Sequence, residues 1–509
     1  MKRILCVILC LTLVLPLFGC GVAGENGGAD IQTFSVGYGK ADISPQHSVY
    51  LRGYGDPKNE RMSTAVADPL YASCIAITDA TGNTVILIST DLLLTTASAF
   101  DPIRASISEK TGVPVDNIMV SASHNHCAPD YNDNVYATLL RERIPQACVE
   151  AMEDRKPAQM HTTFCRPEGY NFVRHYLLSD GSYQGKGVGT LPENKLVGHY
   201  GKADNLMQLV KFTREGGKDI VMINWQGHPK GSAPYSHTTA TSNYVGILRD
   251  RVEKALDCES LFFLSGSGNL NNGSQFSEEE KIAENYIVLG EKLAAHAVEA
   301  AANFQPAQTD NIQTTKAMVT EAGVKGDSGV PLYAMSMGEL AFVFAPFETF
   351  DTNAMAVKET SKFPMTFYAS CSNDDGGYLP TPPSFDWEIT YEAEITRYPK
   401  GTAENVQAIL TELLDELFTT GGYTEQPKAE GYITPAFEPY TDGEYTNPTP
   451  GVLTACTPVK NGFYEVSLLD GSRFRAFLVL NEEIAHEVLQ QTTVKPLFNE
   501  QHVIVGIAE

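Results

Sequence analysis

The stretch Asn117-Ile118-Met119-Val120-Ser121-Ala122-Ser123-His124-Asn125-His126-Cys127-Ala128-Pro129 opens apolar and closes on two histidines. Ile118 to Val120 reads as a buried strand. Side chains two apart on a strand share a face, so His124 and His126 are expected to converge just where the strand ends. In open α/β sheets that end is where ligands and catalysis gather. Neutral imidazole is also the commonest protein ligand for zinc-like metals.

The same theme recurs along the chain: a short apolar run, then a polar cluster. Val85-Ile86-Leu87-Ile88 ends at Ser89-Thr90-Asp91. Ile220 to Ile223 leads through Trp225 to Gly227-His228-Pro229, and Leu261 to Leu264 leads to Gly266-Ser267-Gly268-Asn269-Leu270-Asn271-Asn272. Leu340 to Phe344 leads to Pro346-Phe347-Glu348, and Met365 to Tyr368 leads to Cys371, Asp374 and Tyr378. Helical patterns fall between these runs, over 100–112, 243–257, 278–303 and 402–418. This alternation predicts an α/β fold of mixed, mostly buried sheets flanked by helices, with polar strand ends supplying a shared site. Strand-like runs after the Pro- and Tyr-rich segment 424–450 predict a small β-rich C-terminal module.

At 43% hydrophobic and 19% charged, the 509 residues can bury a sizeable core. The net charge of -25 disfavours nucleic acid, which basic patches bind, and unaided adhesion to an anionic membrane. Residues 1–19 have the basic start and short apolar run of an export signal. Leu17-Phe18-Gly19-Cys20 resembles the bacterial lipoprotein cleavage box. The expectation is therefore an extracytoplasmic protein, lipid-anchored to the bacterial cell membrane through Cys20, with 20–33 as a tether, 34–423 as the main domain and 424–509 as linker and C-terminal module. Seven cysteines remain beyond Cys20, and no Cys-x-x-Cys pair offers a thiolate zinc knuckle.

A catalytic zinc needs about three or four ligands and an open position. His124, His126 and His228 follow strand ends. Glu348 follows an apolar strand, where an isolated charge is costly without a partner. Asp91 reads equally well as a support for a ligand or as a strand-end cap.

Six blocks, in order over about 34–420, resemble the neutral/alkaline (non-lysosomal) ceramidases. Val36-Gly37-Tyr38-Gly39-Lys40-Ala41-Asp42-Ile43-Ser44-Pro45 is similar to their opening motif, and Leu51-Arg52-Gly53-Tyr54 with Asp68-Pro69-Leu70-Tyr71-Ala72 to the next. Ser123 to Pro129 resembles their His-Thr-His-Ser-Gly-Pro motif, and Asn224-Trp225-Gln226-Gly227-His228 their Asn-Trp…His segment. Pro346-Phe347-Glu348-Thr349 resembles Pro-Gly-Glu-Phe-Thr. Gly377-Tyr378-Leu379-Pro380-Thr381 with Tyr391-Glu392 resembles Tyr-Val-Thr-Thr…Tyr-Glu-Gly. The resemblance implies a zinc ion (Zn2+) held by His124, His228, Glu348 and Tyr378. It implies oxyanion donors in His126 and Tyr391, a substrate-side Arg174, and cleavage of the N-acyl amide of ceramide or a related lipid-like amide by zinc-activated water.

One loop departs from the family. Gly-Asp-Val-Ser-Pro-Asn is replaced by Gly268-Asn269-Leu270-Asn271-Asn272-Gly273, so Asn269 and Asn271 stand where an Asp and a Ser are expected, beside the substrate. Metal hydrolase chemistry therefore transfers better than ceramide specificity. Two alternatives stay open: a zinc hydrolase of another amide or ester, and a non-catalytic metal- or lipid-binding lipoprotein on the same fold.

Overall fold

Parallel strand pairs, each ending at the same place, organise the molecule. The computed structural model describes residues 33–54, 60–178, 183–185, 196–199, 201–272, 285–320, 329–386 and 390–432, and the backbone course of five strands between 453 and 508. A nine-stranded mixed sheet runs in the order Cys258–Leu264, Asp219–Trp225, Met207–Arg214, Lys156–Cys165, Ser35–Asp42, Tyr71–Thr78, Thr84–Thr90, Ile118–Ala122, with Gln305–Ala307 added beside Lys156–Cys165. Its middle is antiparallel. Its two ends are parallel pairs, Thr84–Thr90 with Ile118–Ala122 and Asp219–Trp225 with Cys258–Leu264. Parallel neighbours require a crossover, and helices Ala97–Thr111 and Asn243–Leu256 supply one each.

A four-stranded sheet, Ile312–Val319, Val330–Met337, Leu340–Phe344 and Met365–Ala369, packs on the first and ends in a third parallel pair. Met119, Met222 and Phe263 of the large sheet meet Met335, Phe342 and Phe367 of the small one in a single core cluster. Fully burying each such side chain contributes about 2 kcal/mol. Helix Thr402–Thr420 covers the other face of the small sheet with Leu410, Leu413, Leu414 and Leu417. Helix Asn134–Glu153 starts at Asp133, whose carboxylate accepts the Tyr136 amide at 2.9 Å. That helix lies close on strand Ser35–Asp42 because Gly39 has no Cβ, which would fall 2.0 Å from the Ala147 carbonyl oxygen.

The turn after Met365–Ala369 draws the three pairs together. The Ser370 amide donates to Leu264 O and the Asn373 amide to Val120 O, both at 2.8 Å. The Ala122 amide donates to Cys371 O at 3.1 Å, and the Asn373 side-chain oxygen accepts the Val120 amide at 2.8 Å. The carboxyl ends of all three pairs thus face one space.

The mixed, helix-flanked α/β architecture is the one expected. All six apolar runs are strands, and the four helical patterns match Ala97–Thr111, Asn243–Leu256, Tyr286–Ala300 and Thr402–Thr420. The C-terminal stretch is β-rich: Leu453–Pro458, Phe463–Leu468 and Arg473–Phe477 form one antiparallel sheet, and Lys495–Phe498 pairs with Ile504–Ala508. The export signal, Cys20 and the tether up to Gln32 lie outside the described residues. Among the described residues no helix is long and apolar enough to cross a membrane.

Candidate metal centre

His124 and His126 follow strand Ile118–Ala122, and His228 follows Asp219–Trp225. Their three Nε2 atoms meet. His126 Nε2 lies 3.2 Å from His124 Nε2 and 2.8 Å from His228 Nε2. All three rings are buried, with centroids 4.6 to 4.9 Å apart. Strand alternation is not what brings His124 and His126 together. Both lie beyond the strand, and His124 takes a left-handed backbone, φ 62°, which costs a non-glycine residue about 1 kcal/mol or more. Strain of this kind persists where the surroundings impose it, commonly at functional sites.

The ring orientations are set from behind. His124 Nδ1 is 3.1 Å from Leu93 O, and His228 Nδ1 is 3.3 Å from Ser267 O. A carbonyl accepts only, so each Nδ1 keeps its hydrogen and Nε2 is the atom left to bind a metal, as in metal-bound histidines. Pro229 O accepts the His126 amide at 2.9 Å, and the Asn272 side-chain amide donates to His228 O at 2.6 Å. Buried His126 Nδ1 has no partner among the described residues.

Glu348 sits on the short strand Phe347–Thr349, parallel to Gly377–Leu379 and in register with Tyr378. Its Oε2 is 3.0 Å from His124 Nε2, and the Tyr378 hydroxyl bonds to the same carboxylate. Gly268 packs against this strand so closely that a Cβ would fall 2.3 Å from Glu348 O.

The electrostatics call for a cation. Burial pushes the His124 imidazolium down, but the Glu348 carboxylate and the Cys371 thiol together more than offset it and raise His124 well above its ordinary range. Burial would raise Glu348, yet His124 and Tyr378 hold it below the usual carboxylate range. Burial and the His124 charge drive His126 and His228 well below 6.5. One positive charge is therefore welcome among four converging donors, and two imidazoles stay neutral, as ligands must. Burial, then the Glu348 charge, raises Tyr378 well above 10, so its phenol binds a metal as an anion only if the ion itself draws off the proton. Three imidazole nitrogens and one carboxylate form a donor set that suits a zinc-like ion, and His124, His126 and His228 are able to hold a metal.

Beside the centre stands a second buried cluster. Arg174 Nε donates to Glu392 Oε1 at 2.6 Å, and His175 Nε2 lies 2.9 Å from Glu392 Oε2. The Glu392 side chain is 0% exposed. The Arg174 guanidinium sits 5.5 Å from the Tyr378 ring centroid, and its amide donates to Asn269 O at 2.8 Å.

The crystal structure of neutral ceramidase from Pseudomonas aeruginosa matches with a TM-score of 0.63 over 86% of this chain and 84% of that one, at 14% identity. A ceramidase complexed with C2 matches with a TM-score of 0.61 over 84% of this chain and 80% of that one, at 15% identity. The chain has the neutral ceramidase fold. No family model matches it, and no curated protein does.

On this neutral ceramidase fold, the structure brings together His124, His126, His228, Glu348 and Tyr378, with Arg174 beside them. The resemblance set His126 apart from the ligands, whereas its Nε2 lies inside the cluster. The Tyr391 ring is 5.7 Å from the Tyr378 ring and 41% exposed. The Asn269 side chain faces away: its amide donates to Asp351 Oδ1 at 2.7 Å and its oxygen accepts the Asp351 amide at 2.9 Å. Both of its polar ends are used, so it shapes the loop. Asn271 pairs through its backbone with Phe172, and its side-chain oxygen accepts the Asn272 amide at 3.0 Å. The Asp91 carboxylate is buried against Arg249 Nη2 at 2.5 Å and the Tyr71 amide at 2.8 Å, and touches no ligand. Sequence reasoning missed Asn272, His175 and the burial of Glu392. Tyr391-Glu392 carried only motif similarity, and a short helix, Tyr391–Ile395, gives no local sign of which side is buried. Cys74, Cys127, Cys148, Cys258 and Cys371 are buried small residues, and Cys165 is half-buried.

Proposed function

We propose that this chain is an exported, zinc-dependent amidohydrolase. It cleaves the N-acyl amide of ceramide or a related lipid-like amide, and is tethered outside the cytoplasmic membrane through lipid on Cys20. The observation that carries the reading is the meeting of His124, His126 and His228 Nε2 with the Glu348 carboxylate at the ends of three parallel strand pairs.

His124, His228, Glu348 and Tyr378 would hold the zinc. Bound there, the ion supplies Lewis acidity at the scissile carbonyl and acidifies water toward neutrality. Leu93 O and Ser267 O keep two imidazoles in the ligating tautomer. His126 and the hydroxyl of Tyr391 would serve as donors to the charge that develops on the carbonyl oxygen, and donors aimed at that charge stabilise the transition state. Glu392 fixes Arg174 toward the substrate side by taking up its Nε–H. A lipid tether would hold such an enzyme near insoluble substrate.

The test is turnover by zinc-loaded protein on a fluorescent short-chain ceramide and a panel of N-acyl amides. Cleavage that His124→Ala abolishes supports the reading. Tight binding of every amide with no cleavage by metal-loaded protein would contradict it. Palmitate labelling in cells, lost in Cys20→Ala, tests the tether.

A further inference from the structure

We propose that Cys74 and Cys148 are a disulfide site: their sulfurs join whenever the chain folds in the presence of a disulfide oxidant, and the bridge staples the segment bearing His124 and His126 to the large sheet. That the protein meets such an oxidant rests on the reading of it as exported; the capacity of the pair to close does not.

The two sulfurs are already in contact. Cys148 Sγ lies 3.3 Å from Cys74 Sγ, although the residues are 74 positions apart, and both residues are 0% exposed. The backbones behind them are close as well. Cys74 is the ladder partner of Gly39 on the neighbouring strand. Helix Asn134–Glu153 crosses that strand at Gly37 and Gly39, where an added Cβ would fall 2.0 Å from Ala151 O and from Ala147 O respectively. Cys148, the residue after Ala147, is therefore held beside the strand of Cys74 at the short reach a disulfide requires. A bond needs the sulfurs to draw in from 3.3 Å to about 2.0 Å. Three other sulfurs are placed differently: Cys127, Cys258 and Cys371 lie against Gly231 O, Val252 O and Phe347 O, at 3.3, 3.9 and 3.8 Å.

Closure is a thiol–disulfide exchange. The thiolate of one cysteine attacks the oxidant's disulfide, forming a mixed disulfide and releasing one thiol. The thiolate of the other then attacks the cysteine sulfur of that mixed disulfide and releases the second. The pair gives up two electrons and two protons, and the oxidant is reduced to two thiols. Thiols buried in apolar surroundings are inert, so the exchange belongs to folding, before the helix covers the strand. The loop it closes contains strands Thr84–Thr90 and Ile118–Ala122 together with His124 and His126. A cross-link over that length removes loop-closure entropy from the unfolded chain.

The experiment makes the full chain by cell-free synthesis with oxidised glutathione and, in parallel, with dithiothreitol, so that export plays no part. Free thiols are alkylated under denaturing conditions before tryptic digestion. The expected result in the oxidised sample is a linked pair of peptides, 62–104 and 144–155, each of which holds a single cysteine. Its thermal midpoint should lie about 5 °C above that of the reduced sample. In Cys148→Ala the midpoint should no longer depend on the oxidant; if that variant does not fold, the wild-type peptide map decides the question. Recovery of Cys74 and Cys148 as alkylated thiols from the oxidised sample, their linkage to other cysteines, or equal midpoints of the two wild-type samples would overturn the proposal. Failure of the export reading is read separately, as absence of palmitate label on Cys20 in cells.

Discussion

Replacing Glu392 with Gln removes one negative charge and little else, and its cost follows from the buried cluster. Glu392 is fully buried between Arg174 and His175. Burial alone would raise its carboxyl, but the Arg174 charge and the His175 contact lower it from 4.5 to about 2. At about 1.4 kcal/mol per unit, that depression is worth about 3 kcal/mol at neutral pH. Removing one partner of a buried ion pair costs about 3–5 kcal/mol on general grounds, which agrees. The sign follows from linkage. A depressed carboxyl adds stability above its unfolded value of 4.5 and loses it as pH falls toward about 2. The difference between wild type and Glu392→Gln in urea unfolding should therefore be about 3 kcal/mol at pH 7 and shrink to about 1.4 kcal/mol at pH 3. A gap below about 1 kcal/mol at pH 7, or one equal at the two pH values, would refute the reasoning.

Two further outcomes concern the centre itself. Gly268→Ala should push the Glu348 strand away, because the new Cβ would lie 2.3 Å from Glu348 O. Zinc affinity is expected to fall about 10- to 100-fold, as for other disturbances behind a ligand, and chelator competition measures it. Tyr378→Phe should weaken zinc binding, whereas Tyr391→Phe should leave metal content intact and lower kcat about 10²-fold, as loss of an oxyanion donor does. Equal effects of the two tyrosine changes on metal content would remove the division of roles.

The fold was legible where strands are buried on both faces. Val85–Ile88, Ile118–Val120 and Ile220–Ile223 are continuous apolar runs because parallel strands are covered on both faces. The antiparallel middle was harder. Ser35–Asp42 and Lys156–Cys165 mix buried and half-buried positions, and nothing local says they pair. The histidines and Glu348 announced themselves by sitting just past such runs. Their exact company did not, since it depends on the Ser370–Asn373 turn joining ends that are remote in sequence. Asn269 was expected beside the substrate, yet Asp351, 82 positions away, takes both ends of its amide. The charge cluster of Arg174, His175 and Glu392 spans 218 positions and has no periodic signature.

The central claim is a metal held by two strand-end imidazoles, a carboxylate and a phenol, with His126 at their side. The most direct measurement is elemental analysis of freshly purified, chelator-free protein together with His228→Ala. The account expects close to one zinc per chain in the wild type and loss of most of it in the variant. Wild-type protein that holds no transition metal, and takes up none when zinc is supplied, would contradict it.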